Sequence, residues 1–244
     1  MIRAVISLVS FVLLTFVAAI IATLSRLWDG SGDTVLKLAR FWSRIVLGVP
    51  GVKLEVVQRA PLDPQRPYIV MANHASMIDI WAVLLAVPVP FRFIAKKQLG
   101  AIPIFGWAMR AGRFIFIDRQ NAASARRSIE EAARRIKSGQ SVVIFPEGTR
   151  TRDGRLNAFK KGGFHLALDS GAEIVPVAIQ GSRALMPRGS ALMRAGTVRV
   201  EIGEPIATTG LRLSDREALA TRVRDKIAEM LGETPAAASR AGIR

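Results

Sequence analysis

The chain contains no cysteine, which excludes a disulfide framework, a thiolate zinc site and a thiol nucleophile. Histidine is nearly absent too: with only His74 and His165, a multi-histidine metal site cannot be built, and no metal is expected. Carboxylates are scarce, with 19 Asp and Glu against 35 Lys and Arg, a formal net charge of +16. Such an imbalance calls for a negative partner, and nucleic acid, anionic lipid and acidic protein are the candidates. At 244 residues the chain has room for one substantial α/β core with a small appendage, but not for two full domains.

What the chain does have is one long uncharged run. Ala4 to Leu24, "AVISLVSFVLLTFVAAIIATL", is 21 residues without a charge, about 31 Å long as a helix and close to the thickness of a bilayer core. A cleaved signal peptide is the alternative, although such runs are shorter. Arg26, Lys37, Arg40 and Arg44 follow the run and only Arg3 precedes it, so the positive-inside bias puts the rest of the chain in the cytoplasm. The next stretch, Asp33 to Val49, sets Val35, Leu36, Phe41 and Trp42 against Lys37, Arg40 and Arg44. This is the pattern of a basic helix lying in a membrane interface, and the two helices could also form a hairpin within one leaflet. Residues 1–50 are therefore expected to be a membrane anchor, 51–232 a catalytic domain and 233–244 a disordered tail.

After Gly51, short apolar runs alternate with amphipathic segments. Strands are expected at 52–58, 67–72, 91–95, 113–117, 141–145, 173–179 and 197–203, and helices near 76–87, 103–111, 121–138, 160–170 and 214–231. Ser214 with Glu217 three residues on has the form of a capping box. The alternation predicts an α/β fold, a mixed sheet flanked by helices. The arginine-rich helix 121–138 invites a nucleic-acid reading. However, Glu130 with Arg134 and Glu131 with Arg135 are spaced as i,i+4 pairs, while Ile129, Ala132, Ala133 and Ile136 form a packing stripe. It reads as a solvated face, and no nucleic-acid partner is expected.

Two stretches carry chemistry. In "VMANHASMIDIW", His74 falls in the turn between an expected strand and an expected helix, and Asp79 follows one helical turn later. A carboxylate so placed can accept the Nδ1 proton, leave Nε2 as a base and stabilise the imidazolium. The plainer reading makes Ser76 a helix cap and Asp79 a partner of the helix dipole. In "VVIFPEGTRTRDG", Pro146 ends a strand and Gly148 permits a tight turn that brings backbone amides, Thr149 and Arg150 to the sheet edge. That arrangement suits an anion, with Glu147 orienting Arg150 or a substrate hydroxyl. Lys96 and Arg119 also follow expected strands. A serine hydrolase using Ser76 lacks the G-x-S-x-G elbow, and a membrane-tethered binding protein is a further alternative. His165, among Phe164, Leu166 and Leu168, is assigned to packing.

Taken together, the sequence resembles the 1-acylglycerol-3-phosphate acyltransferase family. Asn73, His74, Ser76 and Asp79 match its first motif, "GRFIFIDR" ending at Arg119 its second, "FPEGTR" (Phe145 to Arg150) its third and "IVPVAI" around Pro176 its fourth. The resemblance implies transfer of an acyl chain from acyl-CoA or acyl carrier protein to a lysophosphatidate hydroxyl. It further implies His74 and Asp79 as catalytic residues and Lys96, Arg119, Glu147, Gly148, Thr149 and Arg150 as substrate-binding residues. No cofactor is implied beyond the thioester co-substrate, and the expected setting is the cytoplasmic side of an anionic membrane. Relatives that acylate glycerol phosphate or lyso-ornithine lipid leave the acceptor open.

Overall fold

The computed structural model describes residues 15–118, 122–190 and 192–233. Seven strands form one sheet: β1 (Val52–Gln58), β2 (Tyr68–Ala72), β3 (Phe91–Lys96), β4 (Ile115–Ile117), β5 (Ser141–Ile144), β6 (Glu173–Gln180) and β7 (Gly196–Ile202). Their order is β1-β7-β6-β2-β5-β3-β4. The run from β6 through β4 is parallel, whereas β7 is antiparallel to β6 and β1 follows β7. The mixed sheet expected from the sequence is present, and every expected strand lies within two residues of an observed one.

Burial on both faces explains why the central strands read as unbroken apolar runs. Along β2, Ile69 and Met71 point to one core, and Val70 and Ala72 point to the other. Pro176 sits inside β6, a strand with neighbours on both sides. The ladder with β7 begins only at Val177, and at Pro176 itself the remaining bond is Gly203 N–H to its carbonyl. The missing proline N–H therefore costs the sheet nothing there.

Helical residues 15–24 (α1) and α2 (Asp33–Gly48) precede the sheet. Helices α3 (Ile78–Ala86), α4 (Lys97–Gly100), α5 (Phe105–Ala111), α6 (Ala122–Lys137), α7 (Lys161–Ser170), α8 (Ser182–Leu185) and α9 (Arg216–Leu231) follow. One face of the sheet is covered by α2 and α3, the other by α6, α7 and α9. The short helices α4 and α8 have no counterpart among the sequence expectations; four residues are too few for a periodic signal.

Three local expectations are corrected. First, the apolar stripe of α2 is partly taken up by protein, since Leu36 and Leu47 are buried in the core shared with α3 and the sheet. Burial of each contributes on the order of 2 kcal/mol. Arg40 turns inward and donates to the carbonyls of Leu84, Val87 and Val89 at the end of α3, which leaves Phe41 as the large exposed hydrophobe of the helix. Second, Ser214 does not cap α9. A 3-10 turn, Leu213–Asp215, precedes that helix, and Asp215 accepts the Arg212 N–H. Third, Glu130 pairs back to Arg126 rather than forward to Arg134, because Glu131 takes both Arg134 and Arg135.

Residues 4–14 of the uncharged run lie outside the described residues, and no described helix is long and apolar enough to cross a membrane. Within α1, Ala19 and Ala22 pack against Val35, Ala108 and Ala111, that is, against α2 and α5. Phe16, Val17, Ile20, Ile21 and Leu24 of α1 remain exposed, as do Phe105 and Trp107 of α5. Most of the expected tail, beyond residue 233, lies outside the described residues.

Candidate active site

Parallel pairing puts the carboxyl ends of β2, β5, β3 and β4 side by side along one edge of the sheet, where α/β folds place their functional groups. His74 lies just beyond β2, the Glu147 to Arg150 turn beyond β5, and Lys96 ends β3. Arg119 lies outside the described residues.

His74 Nδ1 is 2.9 Å from Asp79 Oδ2. The same oxygen accepts the backbone N–H groups of Ala75 and Ser76, each at 2.7 Å. A single carboxylate oxygen in the first turn of α3 thus holds both the imidazole and the two backbone N–H groups just before the helix, while Ser76, expected as the helix cap, accepts the Ile78 N–H through its Oγ at 3.2 Å. Asp79 is fully buried, and its other oxygen, Oδ1, makes no hydrogen bond among the described residues. The imidazole stacks on Phe145, with centroids 4.1 Å apart and planes 18° apart. With Nδ1 committed, Nε2 makes no hydrogen bond among the described residues.

The backbone of His74 is clamped from β5. Glu147 Oε1 accepts the His74 N–H at 2.7 Å, and the Thr151 N–H donates to the His74 carbonyl at 2.8 Å. Glu147 is 3% exposed, and its second oxygen accepts the Asn157 N–H at 3.0 Å. Burial, the largest influence, pushes its carboxyl up to about 7, against the two backbone N–H groups that favour the ionised form. Sequence reasoning gave Glu147 a substrate or Arg150 as its partner; in the structure both of its oxygens are spent on main-chain amides. Gly148 takes φ +75° and closes the turn by donating to the Phe145 carbonyl, a conformation that favours glycine.

Asn73 is joined to β6: its Nδ2 donates to the Ile179 carbonyl and its Oδ1 accepts the Ile179 N–H. Ser76 Oγ donates to the Met186 carbonyl at 2.7 Å, and Ser76 is fully buried. A hydroxyl so placed is not a nucleophile open to substrate, which argues against the hydrolase reading. Thr149 is exposed and Arg150 half-buried in the turn, while Lys96 is exposed two strands from β2. His165 lies away from this edge, between α7 and α9. Its Nε2 is 2.8 Å from Arg216 Nη1, and burial, followed by Arg216, lowers its pKa.

Comparison with known proteins identifies the family. The acyltransferase family pattern matches residues 53–180. A 1-acyl-sn-glycerol-3-phosphate acyltransferase beta of Homo sapiens is 31% identical over 209 residues, covering 84% of this chain and 75% of the human protein. A chloroplastic 1-acyl-sn-glycerol-3-phosphate acyltransferase of Arabidopsis thaliana is 35% identical over 80% of this chain, which spans 53% of the plant protein. The crystal structure of the 1-acyl-sn-glycerophosphate acyltransferase PlsC from Thermotoga maritima superposes with a TM-score of 0.73 at 28% identity, covering 94% of this chain and 96% of that one. The chain belongs to the 1-acyl-sn-glycerol-3-phosphate acyltransferase family.

Proposed function

We propose that the protein transfers a fatty acyl chain from acyl-CoA or acyl carrier protein to the free hydroxyl of 1-acylglycerol 3-phosphate, giving phosphatidate. The observation that carries this reading is the His74–Asp79 pair, set beside the Arg150 turn with Nε2 directed away from the carboxylate. An alcohol is a poor nucleophile until its proton leaves. His74 Nε2 takes that proton as the hydroxyl oxygen bonds to the thioester carbonyl, and Asp79 stabilises the imidazolium. Collapse of the tetrahedral adduct breaks the carbon–sulfur bond, and the departing thiolate recovers the proton from His74. No acyl-enzyme is needed.

Arg150, Lys96 and Arg119 supply cations for the acceptor phosphate, Arg150 by two parallel hydrogen bonds. Gly148 and Thr149 form the turn that carries Arg150, and Glu147 supports that turn from beneath. Purified protein offered 1-acylglycerol 3-phosphate, glycerol 3-phosphate and a lyso-ornithine lipid, each with both donors, tests the reading. Transfer is expected to the first acceptor, and preference for either other would overturn the assignment.

The site works at an anionic membrane, on the cytoplasmic side. The exposed apolar faces of α1 and α5, with a net charge of +16 behind them, support docking by insertion together with electrostatic attraction. Because α2 belongs to the core, the informative truncation removes residues 1–28 and keeps Asp29, whose carboxylate accepts the N–H groups of Ser31, Gly32 and Thr34 ahead of α2. In vesicle flotation the truncated protein should bind anionic vesicles only at low salt, as screened attraction requires. Undiminished binding at high salt would remove the anchor from this segment.

A further inference from the structure

Six arginines lie in the segments that follow β5 and β6: Arg150, Arg152 and Arg155 after β5, and Arg183 of α8, Arg188 and Arg194 after β6. None forms an ion pair among the described residues. The two acids in these loops are committed elsewhere: Glu147 to the His74 and Asn157 N–H groups, and Asp153 to Thr151 Oγ1 and the Arg155 N–H. The two loops are stapled together through carbonyl groups instead. Arg183 Nη2 donates to the Arg152 carbonyl at 2.9 Å, and Arg188 Nη1 donates to the Arg150 carbonyl at 3.0 Å. A third tie, Ser76 Oγ to the Met186 carbonyl, fixes the same segment to the catalytic turn.

A guanidinium held by a carbonyl is ordered without being neutralised. It spends one of five N–H donors and keeps its full charge for another ligand. Arg188 is exposed, and it stands one peptide unit from the His74 backbone. The peptide whose carbonyl accepts Arg188 is the Arg150–Thr151 peptide, whose N–H donates to the His74 carbonyl. An acceptor phosphate lies only a few bonds from the hydroxyl that must reach His74, so a cation at this distance falls within its range. A phosphomonoester carries nearly two charges and three strong acceptor oxygens, so it can take Arg188 in addition to the cations already proposed for it.

We infer that Arg188 is a further ligand for the acceptor phosphate, and that paired with Arg150 it makes the site select a phosphomonoester dianion over a phosphodiester. This rests on the proposed acyl transfer. The device is the carbonyl staple, which orders Arg188 before substrate arrives and so lowers the entropic cost of binding.

Steady-state kinetics decide the point, with 1-acylglycerol 3-phosphate compared with its phosphate methyl ester and each substrate varied in turn. Arg188→Ala is expected to lower kcat/KM for the phosphomonoester about tenfold, the size of one charge-assisted contact, with the donor KM unchanged. The preference for phosphomonoester over methyl ester should narrow by a similar factor, and Arg188→Lys, which keeps the charge, should restore part of it. An equal loss for both acceptors with a lowered Tm would make Arg188 a loop staple only, and a change confined to the donor KM would assign it to the thioester substrate. Either result overturns the inference. Absence of transfer by the wild-type protein would instead refute the acyltransferase reading.

Discussion

His74→Ala is expected to cut turnover at least about 100-fold, the usual cost of removing a general base, and to leave a folded protein. The fold survives because the His74 side chain is 13% exposed and rests on Phe145 rather than filling a core. Losing the stack costs about 1 kcal/mol. The backbone of the turn stays in place, since the Glu147 and Thr151 bonds are made to the His74 main chain. Asp79 keeps its two bonds from Ala75 and Ser76. Turnover with saturating substrates, read beside thermal unfolding, separates the two effects. More than about a tenth of wild-type turnover would refute the base mechanism, since general-base catalysis supplies more than that. A collapsed Tm would mean that the imidazole was structural.

The strands were legible in the sequence because each central one is apolar on both faces, and the motifs were legible because two of them follow a strand and two contain one. Parallel order then brings β2, β5 and β3 to one edge, a step that no local pattern encodes. The protein contacts of α2 were not legible for a general reason. An amphipathic helix shows that one face will be covered but not by what, and here Leu36 and Leu47 are covered by α3 and the sheet. Arg40 likewise looks like a surface charge until the three carbonyls at the end of α3 are in place. At the site, the residue types were readable and several partners were not. Phe145 reads as a strand residue but stacks on His74, Glu147 reaches main-chain amides far away in sequence, and Arg188 belongs to no motif. Such contacts become visible only once loops from different strands meet.

Glu147→Gln is the second large effect, an expected loss of turnover of about 10- to 100-fold, because small displacements of a reacting group carry costs of that order. Glutamate offers an oxygen to each of two N–H groups, from His74 and Asn157. Glutamine offers one oxygen and an NH2 that must face an N–H, so the clamp on the catalytic turn loosens. Stability and activity should then respond oppositely to pH. The carboxyl moves from its ordinary 4.5 to about 7 on folding, so between those values the folded state holds a proton that the unfolded state has released. Its contribution to stability is therefore fully present below about pH 4.5 and is lost as pH rises through about 7, a change of about 3 kcal/mol. Activity runs the other way, because only the ionised carboxylate accepts both N–H groups fully. Wild type should thus gain Tm relative to Glu147→Gln as pH falls from 8 to 5, while its turnover drops through an acid limb near 7 that is shallower in the variant. Thermal melts and pH–rate profiles of both proteins measure the two trends. A Tm difference that stays flat over this range, or identical acid limbs, would show that Glu147 does not titrate as the latch of the catalytic turn.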